Sequence, residues 1–130
     1  MSKRKILLVD DEVDFVELLK ARLEASGYEV ITSNSGKDAL DRFKKDDPDA
    51  VLLDIMMPEL DGLSVLKQIR AQNAVLPVFI ITAFSNEERV KAAGKLNATG
   101  FIVKTQDLGK EVKNITAAIE IAEKYKESRG

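Results

Sequence analysis

The sequence of 130 residues contains no cysteine, no histidine and no tryptophan. Without cysteine and histidine the chain can form no disulfide framework, thiolate nucleophile, zinc finger or Ser-His-Asp triad. It also cannot carry a phosphoryl group on a histidine of its own. Any chemistry must therefore use carboxylates, hydroxyls, amines and the backbone, together with any cation that prefers oxygen ligands.

Excess positive charge and long apolar runs are also missing. The chain has 20 basic and 22 acidic residues, a net charge of −2, which argues against a surface that binds nucleic acid or membranes. Residues 6–9 are apolar, but a signal peptide needs roughly 7–15 such residues in a row. No run approaches the roughly 18 residues that cross a bilayer. We therefore expect a cytoplasmic domain without membrane contact.

Five short apolar runs alternate with stretches of helical periodicity. A continuous apolar run is typical of a strand that is covered on both faces. The order βα, repeated five times, predicts one α/β domain, a three-layer α/β/α sandwich with a parallel sheet. The predicted strands are residues 6–9, 28–32, 50–53, 78–81 and 101–103, of which 28–32 includes the polar residues Glu29 and Thr32. Helix signals are a stop at Gly27, starts at Ser35-Gly36 and Asp61-Gly62, a helix from Asn86 to Leu96, and a last helix from Asp107 to Tyr125.

The last helix carries two apolar rows. The first, which we expect to pack on the sheet, is Leu108, Val112, Ile115, Ile119 and Ala122. The second and narrower row is Ala118, Ile121 and Tyr125, which we expect to be exposed to a partner or a second copy.

Polar side chains follow four of the five runs. Asp10 and Asp11 follow the first, Asp54 the third, Thr82 the fourth and Lys104 the fifth. Each has an ordinary explanation when taken alone, as a turn former, a β-branched strand residue or a solvated charge. Together they predict one ligand site, because ligands bind beyond the carboxyl ends of the strands in such sheets.

The residue types in this predicted site favour phosphoryl chemistry. Three carboxylates placed together repel unless a cation neutralises them, and Mg²⁺ suits ligation by carboxylates, water and phosphate oxygens. A carboxylate can be the phosphoryl nucleophile, and Asp54 is the best candidate because it stands alone at a central strand end. Thr82 and Lys104 would hold the phosphoryl oxygens.

These segments resemble the receiver domain of two-component response regulators, which has the fold of the chemotaxis regulators. Residues 6–12 are similar to the opening acidic motif, and residues 53–58 with Asp61-Gly62 to the phosphoacceptor loop. Residues 81–83 and 101–104 are similar to the segments of the switch threonine and the lysine. The resemblance covers residues 4–123 and leaves 124–130 as a polar tail. It implies a flavodoxin-like sheet of order 2-1-3-4-5.

The resemblance also implies a metal site and a phosphoacceptor. Asp54 would accept a phosphoryl group from a histidine kinase or a histidine phosphotransfer protein. Asp11, Asp54 and the backbone carbonyl of Met56 would ligate Mg²⁺ directly, and Asp10 would do so through water. The protein would be a switch that acts only on its own phosphorylation, rather than an enzyme with a separate substrate.

The implied output lies on another surface. Thr82 and Lys104 would bind the phosphoryl group, and Phe101 would follow the Thr82 hydroxyl and change the surface of helix 4, strand 5 and helix 5. That surface would signal to an effector or output domain, or form a homodimer. Direct binding to nucleic acid is not implied.

The sequence departs from the family pattern at three positions. Thr105 stands where proline usually follows the lysine, which changes the expected loop after Lys104. Asn97 replaces a frequent glycine, and asparagine tolerates the left-handed conformation. Phe101 replaces the usual tyrosine and has no hydroxyl to hydrogen-bond; it could also be an ordinary core residue.

Two bulky apolar residues flank the predicted phosphorylation site. They are Met56 and Phe84, which we expect to obstruct water and to prolong the life of the phosphoryl group.

Three alternative functions compete with this interpretation. A phosphohydrolase with an aspartate nucleophile would place a second aspartate two residues later, where Met56 stands. A receiver-like binding module without phosphorylation would not need the complete set of polar residues. Direct DNA binding would need a basic patch or a helix-turn-helix.

Overall fold

The structure, a computed structural model, describes residues 4–55, 62–82, 87–103 and 108–129. Within these residues five strands alternate with five helices, in the order the sequence predicts. The strands are β1 (Lys5–Val9), β2 (Glu29–Ser33), β3 (Ala50–Asp54), β4 (Val78–Thr82) and β5 (Gly100–Val103). The helices are α1 (Val13–Ala25), α2 (Gly36–Asp46), α3 (Gly62–Gln72), α4 (Glu87–Lys95) and α5 (Leu108–Arg129).

The strands form one parallel sheet. Its order is β2-β1-β3-β4-β5, and all four neighbouring pairs are parallel. β3 is buried along its whole length, as expected of a continuous apolar strand with helices on both faces. β2 and β5 lie at the edges. The predicted order 2-1-3-4-5 is confirmed.

Alternation along the strands produces a core on each face of the sheet. One core packs α2, α3 and α4 against the sheet, and the other packs α1 and α5. In β1, Leu7 and Val9 belong to the first core, whereas Ile6 and Leu8 belong to the second. Successive side chains of a strand point to opposite faces, so a run of apolar residues supplies both cores. The three-layer sandwich is confirmed.

Helix α1 ends at the predicted glycine. Gly27 has φ of +99°, its N–H donates to the carbonyl of Glu24 (3.0 Å), and the Tyr28 N–H donates to the carbonyl of Leu23 (3.1 Å). These two bonds define a Schellman stop, which favours glycine because it needs a left-handed residue. The stop directs the chain back into β2.

Helix α2 begins as predicted. The Ser35 side chain accepts a hydrogen bond from the N–H of Asp38 at 3.2 Å, which satisfies one of the free amide groups of the first turn. The helix ends at Asp46, and Asp47 adopts φ of +47° before Pro48.

Helix α5 is longer than predicted. It extends to Arg129 instead of Tyr125. Ile115 and Ile119 are buried and join the core under α1 and α5, so the row expected to pack on the sheet does so where it is described. In the described part of the chain, no helix combines the length and apolar composition needed to cross a membrane.

The second row of α5 is only partly as predicted. Ile121 is 69% exposed, as expected. Ala118 is instead partly buried and packs against the core, so its predicted exposure is wrong. Ala118 lies three residues after Ile115 and one before Ile119, and a row this close to the buried one still reaches the sheet. The side chains of Leu108 and Tyr125 lie outside the described residues.

Candidate metal and phosphoacceptor site

Two aspartates lie side by side at the carboxyl edge of the sheet. Val9 of β1 pairs with Leu53 of β3, so the next residues, Asp10 and Asp54, are neighbours across the two central strands. The backbone N–H of Asp10 donates to the carbonyl of Ser33 at 3.0 Å, which continues the pairing with β2 by one residue. The sheet itself therefore sets the separation of the two carboxylates.

The three predicted carboxylates form one cluster. Oxygen atoms of Asp10, Asp11 and Asp54 all lie within 4.8 Å of one another. Asp10 is 1% exposed and Asp54 is 5% exposed, whereas Asp11 is more open. The backbone N–H of Glu12 donates to Oδ1 of Asp10 at 2.9 Å, which fixes the orientation of that carboxylate. The predicted convergence of these residues is confirmed.

The cluster fits a small divalent cation. Two ionised carboxylates no more than 4.8 Å apart repel by at least about 3.5 kcal/mol at an effective dielectric constant of about 20, so the cluster favours a cation between its members. Mg²⁺ binds oxygen in octahedral geometry at about 2.0–2.1 Å, which places its ligands about 3–4 Å apart. The oxygen atoms of the cluster, within 4.8 Å of one another, lie close to that spacing.

Helix α3 begins directly against the strand that carries Asp54. A Cβ atom on Gly62 would lie 2.5 Å from Cα of Ile55, and closer still to the carbonyl oxygen of Asp54. Only glycine permits this approach of two backbones. The sequence predicts a turn into a helix at Asp61-Gly62, but it does not reveal that Gly62 packs on the backbone of the site.

A cavity of about 340 Å³ lies next to the cluster, between α1, β2 and α2. Asp10 belongs both to the cluster and to the lining of this cavity. The other lining residues are two valines, two acidic side chains and three neutral polar ones: Val13, Val16, Glu17, Asp38, Thr32, Ser33 and Asn34. No motif in the sequence predicts this cavity.

The edge strand β5 turns apolar side chains outward. Phe101 is 41% exposed and Val103 is 53% exposed, whereas Ile102 between them is 8% exposed and belongs to the core under α1 and α5. By strand alternation, Phe101 and Val103 therefore face the α4 side of the sheet. Phe101 is therefore not an ordinary core residue, and its role as a switch residue stays a prediction.

Several predicted site residues are outside the described part of the chain. They are Met56, Phe84, Lys104, Thr105 and the side chain of Thr82. The backbone of Thr82 ends β4 opposite Val103, at the same edge of the sheet as Asp54.

Sequence relatives carry the same segment within longer proteins. The alkaline phosphatase synthesis transcriptional regulatory protein PhoP of Bacillus subtilis is 42% identical over 123 residues, which are 92% of this chain and 51% of PhoP. The transcriptional regulatory protein ZraR of Escherichia coli is 38% identical over 117 residues, 90% of this chain and 26% of ZraR. The chain thus spans about half of one relative and about a quarter of the other.

Solved structures share the fold. The chemotaxis response regulator CheY4 of Vibrio cholerae superposes with a TM-score of 0.82 at 27% identity, over 90% of this chain and 99% of that one. NtrX from Brucella abortus superposes with a TM-score of 0.88 at 32% identity, over 98% of this chain and 29% of NtrX.

The family model of the response regulator receiver domain matches residues 6–120. A parallel sheet of order 2-1-3-4-5, with an acidic cluster at its carboxyl edge, thus accompanies a family match over nearly the whole chain: the protein belongs to the response regulator receiver domains of two-component systems.

Proposed function

We propose that Asp54 is the phosphoacceptor of this receiver domain. The observation that carries the proposal is the position of Asp54 at the end of a fully buried central strand, within 4.8 Å of two further carboxylates. A carboxylate oxygen of Asp54 attacks the phosphorus of a phosphohistidine, and the phosphorus–nitrogen bond breaks. The imidazole of the donor keeps the electron pair and takes up a proton, and Asp54 becomes an acyl phosphate.

The donor is a histidine kinase or a histidine phosphotransfer protein. This chain contains no histidine, so a phosphohistidine must lie outside these 130 residues. The receiver acts only on its own phosphorylation and dephosphorylation, and has no separate substrate. In this role it works in the cytoplasm.

Mg²⁺ is the proposed cofactor. Asp11, Asp54 and the backbone carbonyl of Met56 would hold it directly, and Asp10 through a water molecule. Bound there, the cation neutralises the carboxylates and the incoming phosphoryl oxygens. The hydrogen bond from the Glu12 N–H to Oδ1 of Asp10 supports this assignment, because it orients the Asp10 carboxylate within the cluster.

Thr82 and Lys104 are the proposed ligands of the phosphoryl oxygens, and Phe101 is the proposed switch residue. The exposure of Phe101 and Val103 on the edge strand supports an output surface made of α4, β5 and α5. An effector or output domain would bind this surface, or a second copy of the chain would do so in a homodimer. The receiver occupies residues 4–123, and the polar segment 124–130 follows it, with α5 continuing through this segment to Arg129.

Intact mass measurement tests the phosphoacceptor. The protein is incubated with Mg²⁺ and acetyl phosphate, from which Asp54 would displace acetate. We expect the mass of one phosphoryl group on the wild type and on Asp41→Asn, which makes the same change at an exposed position of α2, but not on Asp54→Asn. An unmodified wild type would contradict the proposal and favour a receiver-like module without phosphorylation. An undiminished modification of Asp54→Asn would assign the phosphoryl group to another residue.

A further inference from the structure

The opposite end of the sheet contains a half-buried arginine that joins α3 to the connection between α4 and β5. This residue, Arg70, lies in the last turn of α3. Its Nε donates a hydrogen bond to the carbonyl of Asn97 at 2.9 Å. Its Nη1 donates to the carbonyl of Asn73 at 3.1 Å, and Nη2 donates to Oγ1 of Thr99 at 3.4 Å. Three nitrogen atoms of one planar group thus bind three acceptors at once.

The acceptors of Arg70 are themselves fixed. Oγ1 of Thr99 also accepts from the N–H of Val78 at 2.9 Å, and the Thr99 N–H donates to the Val78 carbonyl at 2.8 Å. Thr99 is therefore bound to the first residue of β4 by its backbone and by its side chain. Through Thr99, the guanidinium of Arg70 is attached to the amino edge of the sheet.

Asn97 is the residue that ends α4. It has φ of +65°, its N–H donates to the carbonyl of Gly94 (3.0 Å), and the Ala98 N–H donates to the carbonyl of Ala93 (3.0 Å). These bonds form a Schellman stop with asparagine in the position that glycine usually takes. Arg70 binds the carbonyl of this left-handed residue, so it holds the C-terminal end of α4.

The bonds made by Arg70 do not depend on a neighbouring acid. Among the described residues its partners are a hydroxyl and two backbone carbonyls, and burial lowers the pKa of Arg70 from its usual value. Hydrogen bonds from a charged donor are stronger than neutral ones. Salt screens ion pairs between exposed charges, but weakens these partly buried contacts with neutral acceptors much less.

We infer that Arg70 is a positioning residue that anchors one end of α4, so that phosphorylation moves α4 as a pivot about its C-terminal end. The inference rests on the proposed phosphorylation of Asp54. The other end of α4, at Glu87, follows β4 from the carboxyl edge where Asp54 lies. The end near the site can thus move, while Asn97 and Thr99 stay attached to α3 and β4.

Hydrogen exchange of the intact chain tests the anchor and the pivot. Exchange is followed at the amides of residues 87–91 and 96–99, with and without Mg²⁺ and acetyl phosphate, and intact mass reports phosphorylation in each sample. In the wild type we expect phosphorylation to change exchange at 87–91 and to leave 96–99 unchanged. In Arg70→Gln we expect resting exchange at 96–99 to rise on the order of tenfold, because the local opening loses its charged donor, and to become sensitive to phosphorylation.

Two further variants separate anchoring from a general loss of stability. Lys67→Gln removes a cation from an exposed position of the same helix, and we expect it to exchange like the wild type. Arg70→Lys keeps the charge but not the planar guanidinium, so we expect an intermediate increase in hydrogen exchange at residues 96–99. This variant replaces Arg70→Gln in the test if Arg70→Gln fails to fold.

Either of two results would overturn the inference. The first is hydrogen exchange at residues 96–99 that is as slow in the Arg70 variants as in Lys67→Gln, because Arg70 would then not anchor α4. The second is a wild type in which phosphorylation changes hydrogen exchange at residues 96–99 as much as at residues 87–91, because α4 would then not pivot about its C-terminal end. Failure of phosphorylation itself, seen in the mass, would overturn the proposed function and the pivot together, while resting exchange would still decide the anchor.

Discussion

Replacing Gly62 by alanine tests how closely α3 approaches the site. The added Cβ would lie 2.5 Å from Cα of Ile55, whereas carbon atoms in contact are about 3.5–4.0 Å apart. The atoms that this Cβ would meet, Cα of Ile55 and the carbonyl oxygen of Asp54, belong to the backbone, so no side-chain rotation relieves the overlap. The start of α3 and the end of β3 must separate by about 1 Å, and this moves the backbone of Asp54.

The expected loss of stability follows from this overlap. Overpacking of a buried position costs about 1–3 kcal/mol, and the helix preference of alanine over glycine, at most about 1 kcal/mol, offsets part of it. At about 2.1 cal/mol/K per residue, a net loss of 2 kcal/mol over 130 residues lowers Tm by about 7 °C. The displaced Asp54 should also accept acetyl phosphate more slowly.

Thermal unfolding and intact mass, measured side by side, check both effects. The matched control is Gly94→Ala in α4, because a Cβ atom at Gly94 meets no atom within 4 Å. We expect that control to be as stable as the wild type, or more stable by up to about 1 kcal/mol, and to be phosphorylated normally. If Gly62→Ala has the same Tm as Gly94→Ala and is phosphorylated at the same rate, α3 does not approach the backbone of β3 as closely as described.

Two other variants test the metal and the lifetime of the phosphoryl group. Mg²⁺ at about 100 times its Kd should stabilise the wild type by about 2.7 kcal/mol, which is measured as a rise in Tm. Asp11→Asn should reduce this rise at the same Mg²⁺ concentration. An equal rise in Tm for the two proteins would exclude Asp11 from the metal site. Met56→Asn should lose its phosphoryl group faster than the wild type, followed as the decay of the phosphorylated mass after acetyl phosphate is removed. Slower or equal loss from that variant would refute shielding by Met56.

The acidic cluster could be predicted because it depends on strand ends. A parallel sheet brings the carboxyl ends of its strands to one edge, and the apolar runs before Asp10 and Asp54 mark where those strands end. Asn97 was predictable for a similar reason, since few residue types other than glycine adopt its left-handed conformation. In both cases a local feature of the sequence determines the outcome.

Features that depend on the packing of distant backbones were not predictable. The contact of Gly62 with Ile55 requires the path of α3 over β3, and the three acceptors of Arg70 lie on two loops far apart in sequence. The end of α5 was misplaced because residues 124–129 are polar but include good helix formers such as lysine, glutamate and arginine. Polarity alone indicates exposure; it does not end a helix.

The two edges of the sheet differ in what they contribute. The carboxyl edge gathers negative charge, because the buried Asp10 and Asp54 lie with Asp11 in one cluster of carboxylates. The amino edge has the reverse character, because the Arg70 guanidinium is hydrogen-bonded to neutral acceptors and ties α3, α4 and β4 together. A change of charge at Asp54 therefore acts where the structure is under electrostatic stress. The anchored edge gives that change a fixed point against which α4 can move.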